Sequence, residues 1–128
     1  MTPVYEWYQR GIALLAAGDA HAAATVLERA AAEEPDKGSI REALGRAYFD
    51  SRRFDAALDQ FTHALDISPV NDYAHFGAGL CLGRLGRLDE AVGHLRLATV
   101  MRPGINDYSQ ALARHEFRRE FVRRDADQ

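Results

Sequence analysis

The sequence holds a single cysteine, Cys81, among 128 residues. That excludes an intramolecular disulfide and a thiolate metal cluster. No window approaches about 18 uninterrupted apolar residues, so no segment is expected to cross a membrane as a helix. The opening Met1-Thr2-Pro3-Val4-Tyr5-Glu6-Trp7 lacks a basic stretch followed by an apolar run, and so does not read as a secretory leader. Excess positive charge is missing as well. A formal net charge of −3 gives no general attraction to nucleic acid or to anionic lipid. Together these absences lead to the expectation of a cytoplasmic protein. What is present, 47% apolar and 27% charged residues, is the mixture of a folded single domain rather than of a disordered chain.

Proline is also scarce, and its placement organises the chain. Three of the four prolines, Pro35, Pro69 and Pro103, stand 34 residues apart. The same period aligns Gly11, Gly45 and Gly79, then Ala23, Ala57 and Ala91. Leu27, Phe61 and Leu95 follow in the same register, as do Ala30, Ala64 and Ala98. A period of this length marks a repeat architecture in which each unit stacks on the next. Each unit reads as two amphipathic helices of roughly 13 to 15 residues. Short polar turns join them at Gly18-Asp19, Arg52-Arg53 and Gly86-Arg87.

Antiparallel helices pack with axes about 8–10 Å apart, and the closest crossings admit only small side chains. A glycine inside a helix costs about 0.5–1 kcal/mol relative to alanine, so three in register imply a packing reason. The reading is that Gly11, Gly45 and Gly79 face Ala23, Ala57 and Ala91. Each proline ends the second helix of its unit, because it lacks an N–H and turns the preceding residue away from the α region. Asn71 and Asn106 follow closely and are candidate N-caps for the next helix.

This pattern resembles the tetratricopeptide repeat, whose units run aromatic, Leu-Gly, Tyr, Ala, Phe, Ala and Pro. The second unit matches best, with Leu44-Gly45, Tyr48, Ala57, Phe61, Ala64 and Pro69. The first offers Trp7, Gly11, Leu14, Ala23, Leu27, Ala30 and Pro35. The third offers Ala78-Gly79, Leu82, Ala91, Leu95, Ala98 and Pro103, with His75 where the aromatic residue usually sits and Arg41 there in the second. The resemblance implies an all-α fold, an α-solenoid of three antiparallel helix pairs with units near 4–37, 38–71 and 72–105 inside a single domain, 1–128.

A seventh, capping helix is expected over about 106–124. The triplet Asn-Asp-Tyr at 71–73 recurs at 106–108, and counting from it places Arg114 where earlier units keep glycine. Tyr108, Ala111 and Leu112 would cover the last pair while Arg114, Arg118 and Arg119 face water. The last four residues read as frayed.

Few residues suggest chemistry. The histidines at 21, 63, 75, 94 and 115 have no metal-ligand spacing and are expected at the surface or in turns. Glu33-Glu34 and Asp89-Glu90 read as helix-end acids rather than an acid–base pair. Gly77-Ala78-Gly79 precedes no lysine and follows no strand, so it is no phosphate loop. Cys81 on an apolar stretch reads as a buried, inert thiol. The expectation is a protein that is not an enzyme and needs no cofactor or metal.

Between residues 111 and 124 stand five arginines and two glutamates, with Phe117 and Phe121 among them. That segment could touch nucleic acid, a membrane surface or an acidic partner, or it could be a solvated face favoured by the helix dipole. Residues 1–110 carry eleven basic and fifteen acidic side chains, which argues against nucleic acid.

By the resemblance, the first helix of each pair lines a concave face. There it places Tyr5, Tyr8, Ile12 and Leu15, then Ser39, Glu42, Arg46, Phe49 and Asp50, and then Tyr73, Phe76, Leu80, Gly83 and Arg84. Aromatic side chains together with arginine are typical of interaction hot spots. Chaperone-cofactor members of the family grip a terminal carboxylate with a clamp of lysine, arginine and asparagine. The corresponding positions here, Tyr8, Ile12, Ala43, Tyr73 and Gly77, hold no cation or amide. The leading expectation is an adaptor or chaperone-like module that binds a hydrophobic or amphipathic segment of a partner protein. Self-assembly through the aromatic face or the last helix is the alternative, and nucleic-acid contact through the arginine-rich helix is a third.

Overall fold

The computed structural model describes residues 3–128; Met1 and Thr2, part of the stretch read above as no leader, lie outside the described residues. Among the described residues seven helices follow one another: α1 Val4–Ala16, α2 Ala20–Glu33, α3 Gly38–Asp50, α4 Phe54–Ile67, α5 Asp72–Arg84, α6 Leu88–Met101 and α7 Asn106–Ala126. Each helix packs on its neighbour in sequence. In addition α1 touches α3, α3 touches α5 and α5 touches α7, whereas α2, α4 and α6 do not touch one another. The odd-numbered helices therefore form an inner row and the even-numbered ones an outer row, which is the arrangement of an α-solenoid. α7 runs to Ala126, so the helix extends into the four residues read as frayed.

The turns within pairs close in the left-handed region, at Gly18 with φ 83°, Arg52 with φ 64° and Gly86 with φ 79°. Glycine reaches that region without steric cost, and arginine does not. Caps differ between joints. The Asp19 carboxylate accepts from the Ala22 N–H at 3.2 Å, and the Asn71 side-chain oxygen accepts from the Ala74 N–H at 3.0 Å. Asn106, expected to cap α7, makes no such bond and is its first helical residue, with Ile105 at the cap. The reason is register. α7 begins 34 residues after α5, but the Asn-Asp-Tyr triplet recurs after 35, so every side chain of the triplet is one step further into the helix. The same shift puts Ala113, not Arg114, at the position of Gly45 and Gly79.

The repeated glycines do meet the second helix, but against its large residue. A Cβ on Gly11 would stand 2.5 Å from Leu27, one on Gly45 2.9 Å from the Phe61 ring, and one on Gly79 2.6 Å from Leu95. The alanines at 23, 57 and 91 are fully buried in the same helices, and the Ala91 carbonyl oxygen would stand 3.2 Å from a Cβ on Gly79. Phe61 is held on both sides, because Gly77 of α5 presses on the same ring that Gly45 of α3 admits. Leu27, Ile40, Leu82, Val92 and Leu95 complete a core that runs the length of the stack. Cys81 is fully buried within it, and burial pushes its thiol up to about 12. Among the described residues no helix is long and apolar enough to cross a membrane.

Candidate functional site

The inner row exposes a face along which three clefts join. The first, about 280 Å³, is lined by Val4, Tyr5, Tyr8, Ser39 and Ile40, with Glu34 and Lys37 at its edge. The second, about 170 Å³, lies between Tyr8, Ile12, Ser39, Glu42, Ala43, Arg46 and Tyr73. The third, also about 170 Å³, is walled by Phe49, Phe61, Tyr73, Phe76, Gly77 and Leu80, with Arg46 and Asp50 at its mouth. Tyr8 and Ser39 belong to the first two, Arg46 and Tyr73 to the last two, so the clefts form one track across α1, α3 and α5.

Eleven of the fourteen residues placed on the concave face line this track. Arg84 does not: it sits beyond the third cleft with its guanidinium 5.6 Å from the centre of Phe49 and 5.5 Å from that of Phe54. Arg46 is tied to Asp50, one turn on, at 3.8 Å. The aromatic residues divide between floor and lip. Phe61 meets Tyr73 edge-on at 6.0 Å, and Phe76 lies 4.7 Å from the Tyr108 ring of α7, so Phe76 is half-buried and part of the joint to the cap. Tyr5 is 69% exposed and Ile12 37%. Burial pushes the Tyr73 hydroxyl above its ordinary range. Leu15 and Gly83 do not line the track. Both are buried, and Gly83 lies beneath the His115 ring of α7.

The histidines depart most from expectation. His75 and His115 are buried and His94 is half-buried, whereas His21 is exposed and His63 pairs with Asp36 at 3.1 Å. His75 Nε2 donates to the Pro69 carbonyl at 2.9 Å, which leaves its Nδ1 to accept from His94 Nδ1–H at 3.0 Å. One repeat earlier, Arg41 donates to the Pro35 carbonyl at 2.8 Å and to Gln60 at 2.8 Å. Residues 41 and 75, 60 and 94, and 35 and 69 are all 34 apart. The slot that normally takes an aromatic ring is here a hydrogen-bonded brace to the carbonyl of the preceding proline. The signal was available in the paired departures Arg41/Gln60 and His75/His94. Among the described residues no three metal-capable side chains come together.

The C-terminal arginines are mostly engaged. Arg119 and Arg123 meet Asp89 at 3.7 and 2.9 Å, Arg124 meets Glu120 at 3.2 Å, and Arg118 donates to the Gly83 carbonyl at 3.3 Å. Phe117, Phe121 and Val122 on the same helix are left exposed.

Against known families, the profile of the tetratricopeptide repeat matches residues 8–72 and again 43–106. The chain belongs to the tetratricopeptide repeat family. It is 31% identical over 108 residues to superkiller complex protein 3 of Mus musculus, covering 84% of this chain but only 7% of that protein. Among solved structures it is similar to MamA of AMB-1, with 27% identity and a TM-score of 0.76 over 91% of this chain and 64% of that one. It is also similar to the first tetratricopeptide domain of Spaghetti (RPAP3), which is bound to the HSP90 peptide SRMEEVD. There the TM-score is 0.84 at 16% identity, over 88% of this chain and 90% of that one, and the likeness concerns the fold alone.

Proposed function

We propose that this tetratricopeptide chain is a non-catalytic interaction module that holds a hydrophobic or amphipathic segment of a partner protein along its inner face. The observation that carries the reading is the unbroken track of clefts from Tyr5 to Leu80, floored by Tyr8, Tyr73, Phe49 and Phe76. Apolar anchors of the segment would bury against those rings, and Glu42, Arg46 and Asp50 would set its register through charge-assisted hydrogen bonds. The RPAP3 domain, bound to a peptide of HSP90, lends the fold a precedent for holding a segment of another protein. This chain has Tyr8, Ile12, Ala43, Tyr73 and Gly77 at the clamp positions, so its ligand would be gripped by apolar contact rather than by a terminal carboxylate.

The test compares affinity captures from native lysate by wild type and by an Ile12→Asp/Leu80→Asp double variant, both of which line the track. Thermal melts check that the variant is folded. A protein captured by wild type and lost from the folded variant supports the reading; identical captures overturn it.

A second reading, self-association through α7, is favoured by the exposed Phe117, Phe121 and Val122. α7 has the register of a first helix, and the side on which a second helix would stack is open around Ala113, Arg114, Phe117 and Arg118. Sedimentation of wild type and of Phe117→Ser/Phe121→Ser at low micromolar concentration decides it; a monomeric wild type ends that reading.

A further inference from the structure

The turn between α3 and α4 departs from the other two within-pair turns. At the left-handed position where the first and third units place Gly18 and Gly86, the second places Arg52. Its neighbour is Arg53, where the first unit has the capping Asp19. Around this turn three guanidinium groups gather over aromatic rings. Arg52 stands 5.7 Å from the centre of Phe54, Arg84 of α5 stands 5.5 Å from the same ring, and Arg53 stands 4.4 Å from that of Tyr48. A cleft of about 350 Å³ opens between Arg52, Arg53, Phe54, Asp55, Ala56 and Leu85.

None of these three arginines has an ion-pair partner among the described residues. The neighbouring carboxylates are committed to others. Asp50 pairs with Arg46, Glu90 with Arg87 at 2.9 Å, and Asp89 with Arg119 and Arg123. Only Asp55, in the first turn of α4, offsets the charge at the cleft itself. Two cations over one ring repel each other, and an anion between them relieves that repulsion. The left-handed backbone at Arg52 costs conformational energy that a glycine would not, so the side chain is kept at the expense of the turn.

We propose that this edge of the solenoid is a second binding site, taking an acidic stretch of a protein through carboxylate–guanidinium pairs to Arg52, Arg53 and Arg84. A peptide is favoured over a nucleic acid because the rings are already covered. Phe54 lies under two guanidiniums, Phe49 under one, and Tyr48 under another with its side chain buried, so no open aromatic face remains for a base to stack on. The site is distinct from the track of the inner row, which it borders at Phe49, and does not depend on it.

The experiment is fluorescence anisotropy of the full chain with a labelled peptide of alternating glutamate and alanine, against a labelled oligothymidylate. The peptide is expected to bind, more weakly as salt rises. Arg52→Gly and Arg84→Gln should each weaken it roughly threefold to tenfold, as for partly exposed ion pairs. Asp55→Asn should tighten it, and Arg114→Gln, on the far helix, should leave it unchanged. Arg52→Gly should melt no lower than wild type, since glycine suits the turn, which separates lost binding from lost structure. Absent peptide binding overturns the proposal, as does binding that ignores the Arg52 and Arg84 changes. Oligothymidylate binding that responds to those changes while the peptide does not overturns the choice of partner.

Discussion

Single residues in this chain act by what they leave room for. Phe61 fits because Gly45 and Gly77 lack a Cβ on either side of its ring. Gly77→Ala should therefore cost about 1–3 kcal/mol of stability by overpacking, although alanine is the better helix former by about 1 kcal/mol. Gly93, exposed on α6 with nothing near a would-be Cβ, has only the propensity to lose, and Gly93→Ala should gain about 0.5–1 kcal/mol. Chemical melts of the two variants check the contrast; equal shifts would remove the packing account. The histidines give a pH dependence. His94 and His115 are held below their ordinary value of 6.5, first by burial, with His75 beside His94 and with Arg118, Arg114 and Arg84 around His115 adding to it. The unfolded chain therefore binds these protons at higher pH than the folded one does. Their contribution is fully present above 6.5 and is lost as pH falls through that value toward the folded ones. Melting temperature should drop between neutral and mildly acidic buffer, and a His94→Gln/His115→Gln variant should flatten that slope.

At the scale of helices, stability is a matter of joints, since each element touches only the helices next to it in sequence and, in the inner row, the next inner helix. Two tyrosine hydroxyls pin joints between units. Tyr48 of α3 donates to Glu28 of α2 at 2.7 Å, and Tyr108 of α7 donates to Asp72 of α5 at 2.8 Å. Burial and then the carboxylate contact raise both hydroxyls, Tyr48 to about 12 and Tyr108 well above its usual range. Tyr108→Phe should cost about 1–2 kcal/mol, the worth of a hydrogen bond to a charged group less its partial exposure to water. Removing residues 106–128 goes further. It uncovers Gly83 and strips Phe76 of its Tyr108 neighbour, so the shortened chain should melt lower and bind a hydrophobic dye. An unchanged melt would mean that α7 is not a structural cap.

For the molecule as a whole, the repeat was legible because it is a matter of local periodicity. Three prolines, three glycines and two sets of three alanines recur at 34 residues, and each follows from helix geometry alone. That the first helices of the units share one face was legible for the same reason, since position within a unit decides which side of a helix faces inward. Arg84 was harder. Its position in the unit aims it at the inner face, but two rings on the neighbouring pair draw its guanidinium to the edge. The buried histidines were harder still, because His75 and His94 lie on different helices and meet only when the pair closes.

The amino-acid sequence by itself determined the number of helices, their pairing and the family, because periodicity, caps and breakers act over a few residues at a time. Tertiary structure alone decided which of two registers α7 follows, which cations lose their carboxylate partners and which imidazoles leave water. Those outcomes depend on distances between segments 19 to 36 residues apart, and such distances exist only once the helices have stacked.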